Sequence, residues 1–161
     1  MATMSYLDYV DKFQDSRAFF ERTMACLREE DGTFQPQAEA FSTIEQIAHA
    51  AQTVDWFLKG VETGQFSTDF AAHREELGQI RNLQGAKSWF ERSMAEAIAA
   101  VQEKPATFWK KPLPEGPMFS GYPRAFALDA ILDHNAHHRG ALAVYARLCG
   151  HVPAMPYGDG A

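Results

Sequence analysis

Apolar residues recur at helical spacing along the whole of this chain, and no stretch alternates apolar and polar residues as a half-buried strand must. The first segment sets the pattern. Between residues 3 and 30, Tyr6, Val10, Phe13, Phe20, Met24 and Leu27 follow at steps of three and four, with Arg17 in the one polar gap. That is the stripe of a long amphipathic helix packed along a bundle seam. Asp31-Gly32 predicts its end and a turn.

A loop with Gly32 and Pro36 follows, and the second helix starts at a capping box. In Ser42-Thr43-Ile44-Glu45, Ser42 bonds forward and Glu45 bonds back. Ile44, Ile47, Ala48, Ala51 and Leu58 form its aliphatic stripe, and Gly60 and Gly64 mark a fraying end. Residues 65–82 carry the weakest signal, a polar and partly helical piece ending near Gly78. Residues 83–103 form a third helix, with Ala86, Phe90, Met94, Ala97, Ile98 and Val101 on one face and Pro105 as the stop. The connection 104–122 is rich in proline and glycine, and its length suits a functional loop or a crossover. The fourth helix runs from Pro123 to Cys149, closed by Gly150 and then Pro153. Four long helices with a long connection between the third and fourth predict an all-α four-helix bundle. An orthogonal helical arrangement is the alternative that periodicity does not separate. Residues 1–161 read as a single domain.

Composition narrows the partners. Fifteen basic against 21 acidic side chains give the 161 residues a net charge of −6. Such a chain is poorly suited to nucleic acid or an anionic membrane surface. No apolar run approaches the roughly 18 residues of a membrane helix, and charged residues from Asp8 to Arg22 interrupt any signal-peptide core. Cys26 and Cys149, far apart, suggest the reducing cytoplasm rather than a disulfide framework. Both sit near helix ends, where small buried thiols are usual, so neither reads as a nucleophile.

Of six histidines, three fall within residues 134–138. His134 and His138 are spaced i, i+4, which puts both rings on one helix face, their Cβ atoms about 6 Å apart. With Ile131, Leu142 and Tyr145 as core, that face is the buried one. A buried imidazole needs a partner, and a metal ion supplies it. His137, about 100° of helix rotation from His138, converges less well. No glutamate lies between the pair, so this is not the zinc-protease motif. Two ligands leave a site incomplete, and His49 on the second helix is the natural third. His49 lies off the aliphatic stripe, on a face shared with Glu45, Gln52, Thr53 and Trp56. That face is either solvated or the lining of a cavity, and Trp56 favours a cavity. His73 and His151 read as surface residues.

Three places in the chain together resemble the DinB-like (YfiT-like) family. They are Thr43-Ile44-Glu45-Gln46-Ile47-Ala48-His49-Ala50 with Trp56 beyond, His134 to His138 followed by Arg139-Gly140, and the closing stretch from Tyr145 through His151-Val152-Pro153 to Pro156-Tyr157-Gly158. The resemblance implies a bundle in up-down-down-up order. It implies a divalent metal held by three histidines, here His49, His134 and His138. It also implies a homodimer and, in some members, a transferase or isomerase that uses a low-molecular-weight thiol. One position departs: Ala141 follows Arg139-Gly140 where members often carry glutamine.

Three imidazoles leave the metal a 2+ charge and an open position, where water or a thiol is acidified into a nucleophile. Nitrogen-only ligation suits zinc or nickel first, then iron or manganese. The expected activities are a metal-dependent thiol transferase, isomerase or hydrolase acting on a small molecule, or a non-catalytic metal-binding stress-response dimer. A metal-free structural bundle is the third reading. Trp56, Arg139, Tyr122 and Tyr157 are candidate substrate-pocket residues. Arg139 is expected to meet a carboxylate, from a substrate or from within the bundle. Trp109 and Phe119 are expected to plug the end of the core, and Asp133 to sit at the surface.

Overall fold

The computed structural model describes residue 6 and residues 8–158. Its six α-helices are α1 (Asp8–Met24), α2 (Thr43–Thr63), α3 (Phe70–Leu77), α4 (Leu83–Glu103), α5 (Ala106–Lys110) and α6 (Phe126–Leu148). Among the described residues there is no strand, only a single bridge between Pro112 and Pro123. α1, α2, α4 and α6 form a four-helix bundle, and α3 and α5 are short additions in the connections.

Side-chain pairs give the direction of each helix. Tyr9 near the start of α1 bonds to Asp129 near the start of α6, and Arg22 near the end of α1 reaches the carbonyl of Pro156 beyond α6, so these two run parallel. Asp55 accepts from the indole of Trp89, and Glu62 meets Lys104, so α2 and α4 are also parallel. Gln46 meets His138, and Thr53, further along α2, meets the earlier His134, so α2 and α6 are antiparallel. Phe20 stacks on Phe90 while the later Glu29 reaches the earlier Leu83, so α1 and α4 are antiparallel. The order is up-down-down-up. α2 packs on α4 and α6, and α1 packs on α6 and α4, leaving the sequence neighbours α1 and α2 on a diagonal. Phe13, Phe20, Ile47, Phe90, Met94, Leu128, Ile131 and Leu142 are fully buried between them.

The helix boundaries depart from expectation in three places, while the weak segment 65–82 meets it with a short helix that stops at Gly78. Of the helix expected over 3–30, residues 3–5 and 7 lie outside the described residues, and α1 ends at Met24. The acidic run that follows forms a 3₁₀ turn over Glu29–Asp31 because its carboxylates cap backbone amides. Glu29 accepts from the first-turn amides of Leu83 and Gln84, and Asp31 accepts from Arg28. The fraying end expected at Gly60 is instead a close contact. A Cβ there would stand 2.2 Å from the ring of Phe66. α2 continues to Thr63 and stops at Gly64, whose φ is +74°. The weak segment 65–82 holds α3, capped by Asp69, whose carboxylate accepts from Ala72. α6 begins at Phe126 rather than Pro123. Hydrogen bonds from Leu113 to Tyr122 and from Arg124 to Lys111 hold Pro123 in extended backbone.

Other expectations are met. The capping box at Ser42 is formed in both directions, at 3.2 Å and 2.7 Å. Gly150, with φ +85°, closes α6, and His151 bonds back to the carbonyl of Ala146. Trp109 is fully buried, and Phe119 wedges among Phe57, Phe66 and Phe126 at the bundle end.

Candidate metal centre

The capping box starts α2, and its helical register then places His49 where α2 faces α6. α2 is buried nearly all round: Gln46, Ile47, Ala48, Ala50, Ala51, Gln52 and Thr53 are all below one-tenth exposed. The polar strip containing His49, Gln52, Thr53 and Trp56 is therefore no solvated face. It lines a partly open cavity of about 340 Å³ with His134, Phe41 and Phe57, bordered on the outside by Phe70, His73, Arg74 and Leu77 of α3.

His134 and His138 come from successive turns of α6 on the side facing α2. Their Nε2 atoms are 3.1 Å apart, and the ring of His49 lies 5.1 Å from that of His134 and 5.0 Å from that of His138. One nitrogen from each of the three falls within 4.8 Å of the others. Ligands on a tetrahedral zinc, at about 2.0–2.1 Å, stand about 3.3 Å from one another. The pair on α6 has close to that spacing, and a nitrogen of His49 lies within 4.8 Å of both.

The proton placement on His138 follows from its partners. Tyr145 donates its hydroxyl hydrogen to the carbonyl of Phe41 at 2.9 Å, and so accepts from the amide nitrogen of Gln46 at 3.2 Å. That fixes the orientation of Gln46, whose oxygen lies 2.5 Å from Nδ1 of His138. The imidazole therefore donates from Nδ1 and shows a bare Nε2 to the cluster. Nδ1 of His49 and Nδ1 of His134 are buried without a protein partner. Burial, chiefly, and then the neighbouring imidazoles push His134 down to about 4 and His138 down to about 3. Burial lowers His49 too, with His73 adding to it and a bond to Gln52 opposing. All three rings are thus neutral acceptors near pH 7, the state a cation requires. Buried, neutral, convergent and partly unpartnered, they fit a divalent metal.

The remaining candidates are scattered. Trp56 lines the cavity and pins the loop before α3 by donating to the carbonyl of Ser67. Arg139, one residue past His138, turns towards α1. There it bonds the hydroxyl of Tyr157 at 3.1 Å and lies over the rings of Tyr157 and Phe19, so its partner is an aromatic tail residue and not a carboxylate. Tyr122 packs on Phe126, half-exposed, outside the cavity. Asp133 and His137 are exposed, as expected.

Two histidines expected at the surface are not there. His73 stands on the cavity wall, its ring edge-on to Trp56. His151 is held 2.8 Å from the buried carboxylate of Asp31, locking the tail to the loop after α1. Cys26 and Cys149 are free and half-buried rather than buried. Burial and the nearby Asp31 push the Cys149 thiol up, away from a reactive thiolate. Sequence reasoning missed Gln46, Arg74 and Phe41. Gln46 lies in the segment that carries the family resemblance, which is the one signal that marked it.

Comparison with known proteins agrees with this geometry. The sequence matches no curated protein. Among solved structures it is similar to a DinB-like protein, YjoA, from Bacillus subtilis. The TM-score is 0.72 at 16% identity, with 95% of this chain and 99% of that one covered, a likeness of fold. A model of the DinB family matches residues 1–160. The up-down-down-up bundle and the near-complete match to the family model lead to one conclusion: this chain belongs to the DinB family.

Proposed function

We propose that this protein binds one divalent metal ion through His49, His134 and His138 and uses it on a small molecule held in the adjoining cavity. The observation that carries the reading is the convergence of three neutral ring nitrogens within 4.8 Å, two of them, on His49 and His134, in the wall of that cavity. Zinc or nickel suits an all-nitrogen site best, with iron or manganese next. A cation there would acidify a water or a low-molecular-weight thiol at its open position, the chemistry of a hydrolase or a thiol-dependent transferase or isomerase.

The chain's own residues prepare that chemistry. Gln46 sets the tautomer of His138. Phe41, Trp56 and Phe57 exclude water from the approach. Thr53, 3.5 Å from Nε2 of His134, offers a hydroxyl beside the reacting position.

Metal analysis of the purified protein tests the reading. The expected result is close to one equivalent bound by the wild type and less than about a tenth of that by His134→Ala. Bound metal that is low in the wild type and unchanged in the variant would sink it. Turnover of an electrophile with a thiol cosubstrate, absent in His134→Ala, then separates an enzyme from a non-catalytic metal-binding dimer. The protein is further proposed to pair with a second copy in the cytoplasm. Val144 and Leu148, exposed and one turn apart on α6, supply an apolar stripe for that contact, which sedimentation checks.

A further inference from the structure

The cavity beside the histidines has a chemical bias of its own. Its body is apolar: Phe41, Trp56, Phe57, Phe70 and Leu77 surround the space. Its charged lining is one-sided. In a chain with 21 carboxylates and a net charge of −6, no aspartate or glutamate is among the lining residues. Glu76, outside the lining, accepts from the amide of Gln52 at 2.6 Å. Arg74 is the cationic side chain on the wall. Among the described residues its guanidinium makes no ion pair, whereas Arg17, Arg28 and Arg92 each meet a glutamate.

We propose that the cavity takes a compact, flat apolar molecule that carries one carboxylate, with the carboxylate on Arg74 and the body between Trp56 and Phe70. This deepens the metal-site reading by naming its substrate class, and it rests on that reading only for the chemistry performed at the histidines. At about 340 Å³ the space lies at the small end of ligand sites, which favours a body of one or two fused rings. The indole of Trp56, which lines the space and stands at 72° to the ring of His73, supplies an aromatic wall for a flat body. A guanidinium fork pairs a carboxylate through two parallel hydrogen bonds, a geometry no amide reproduces.

The test is calorimetric titration of 1-naphthylacetate and its uncharged twin 1-naphthylacetamide into the full chain. Both zinc-loaded and metal-stripped protein are used, with metal content measured in the same samples. The expected result in both forms is that the acid binds at least about threefold more tightly than the amide. Arg74→Gln is expected to abolish that preference while the amide's own affinity stays within about twofold. Trp56→Ala is expected to weaken both probes. Equal binding of acid and amide by the wild type overturns the proposal, as does failure of both to bind at millimolar concentration. A preference that survives Arg74→Gln overturns it as well, by assigning the carboxylate to another group. The two readings fail separately. A chain that takes up no zinc yet shows the Arg74-dependent preference loses the metal reading alone. A chain that takes up one zinc with no such preference loses the carboxylate assignment alone.

Discussion

Gln46 decides which nitrogen His138 shows to the other two histidines. Its amide is oriented by the Tyr145 hydroxyl, itself committed to the carbonyl of Phe41, so a relay of three groups sets one proton. Outer partners of ligating histidines typically change metal affinity by about 10–100-fold. Gln46→Leu is therefore expected to weaken zinc binding by that factor in a competition titration against a chelator. Gln46→Glu, which keeps an acceptor at the same place, is expected to recover most of it. Equal affinity in all three would mean that packing alone positions the ring. The depressed values of His134 and His138 carry a second prediction. Between about pH 6.5 and 4 the unfolded chain takes up protons at these histidines while the folded chain refuses them. Stability of the metal-free protein should be full above that window and fall steadily as the pH drops through it. A urea midpoint that stays flat from pH 7 to 4.5 would contradict this.

At the scale of elements, α2 depends on a close approach at Gly60, where the ring of Phe66 lies against the bare backbone. Gly60→Ala would normally favour a helix by about 1 kcal/mol. Here the added methyl must displace a ring wedged against Trp56, Phe57 and Phe119, and overpacking of that kind costs about 1–3 kcal/mol. The expected outcome is a net loss of stability, read from denaturant unfolding. A gain would show that Phe66 moves freely. The long helices were legible because each carries its own stripe and stops: the Ser42–Glu45 box for α2, Pro105 after α4, Gly150 after α6. The histidine pair on α6 was legible for the same reason, being a matter of one helix's spacing. What escaped the sequence depends on partners far along the chain. α3 has little apolar periodicity and exposes Phe70. It is tied to α2 by Gln52, which bonds the carbonyl of His73 and the carboxylate of Glu76. Gln46 finds Tyr145 across 99 positions, and His151 finds Asp31 across 120. Arg139 shows how fine the margin is. One step beyond His138 is about 100° of rotation, enough to turn a side chain from α2 towards α1.

Across the whole molecule, the histidine cluster joins α2 to α6, two helices with α3, α4 and α5 between them in sequence. A cation held there acts as a cross-link present only in the folded state. With zinc at about a hundred times its dissociation constant, folding gains about 2.7 kcal/mol. For a chain of this size that is a rise of roughly 5–10 °C in melting temperature. His134→Ala should show no such rise, and scanning calorimetry with and without zinc makes the comparison. The placement of α1 and α2 on a diagonal has a consequence during synthesis. α1 is made before α4 and α6, the two helices on which it packs. At ribosomal speeds of 5–20 residues per second, roughly 6–25 s separate completion of Met24 from completion of Leu148. Throughout that interval the nascent chain presents Phe13 and Phe20 without the α6 side of their groove, and His49 waits for both of its companions. Those apolar faces stay uncovered throughout that interval, and the three-histidine cluster is complete only once α6 has been made.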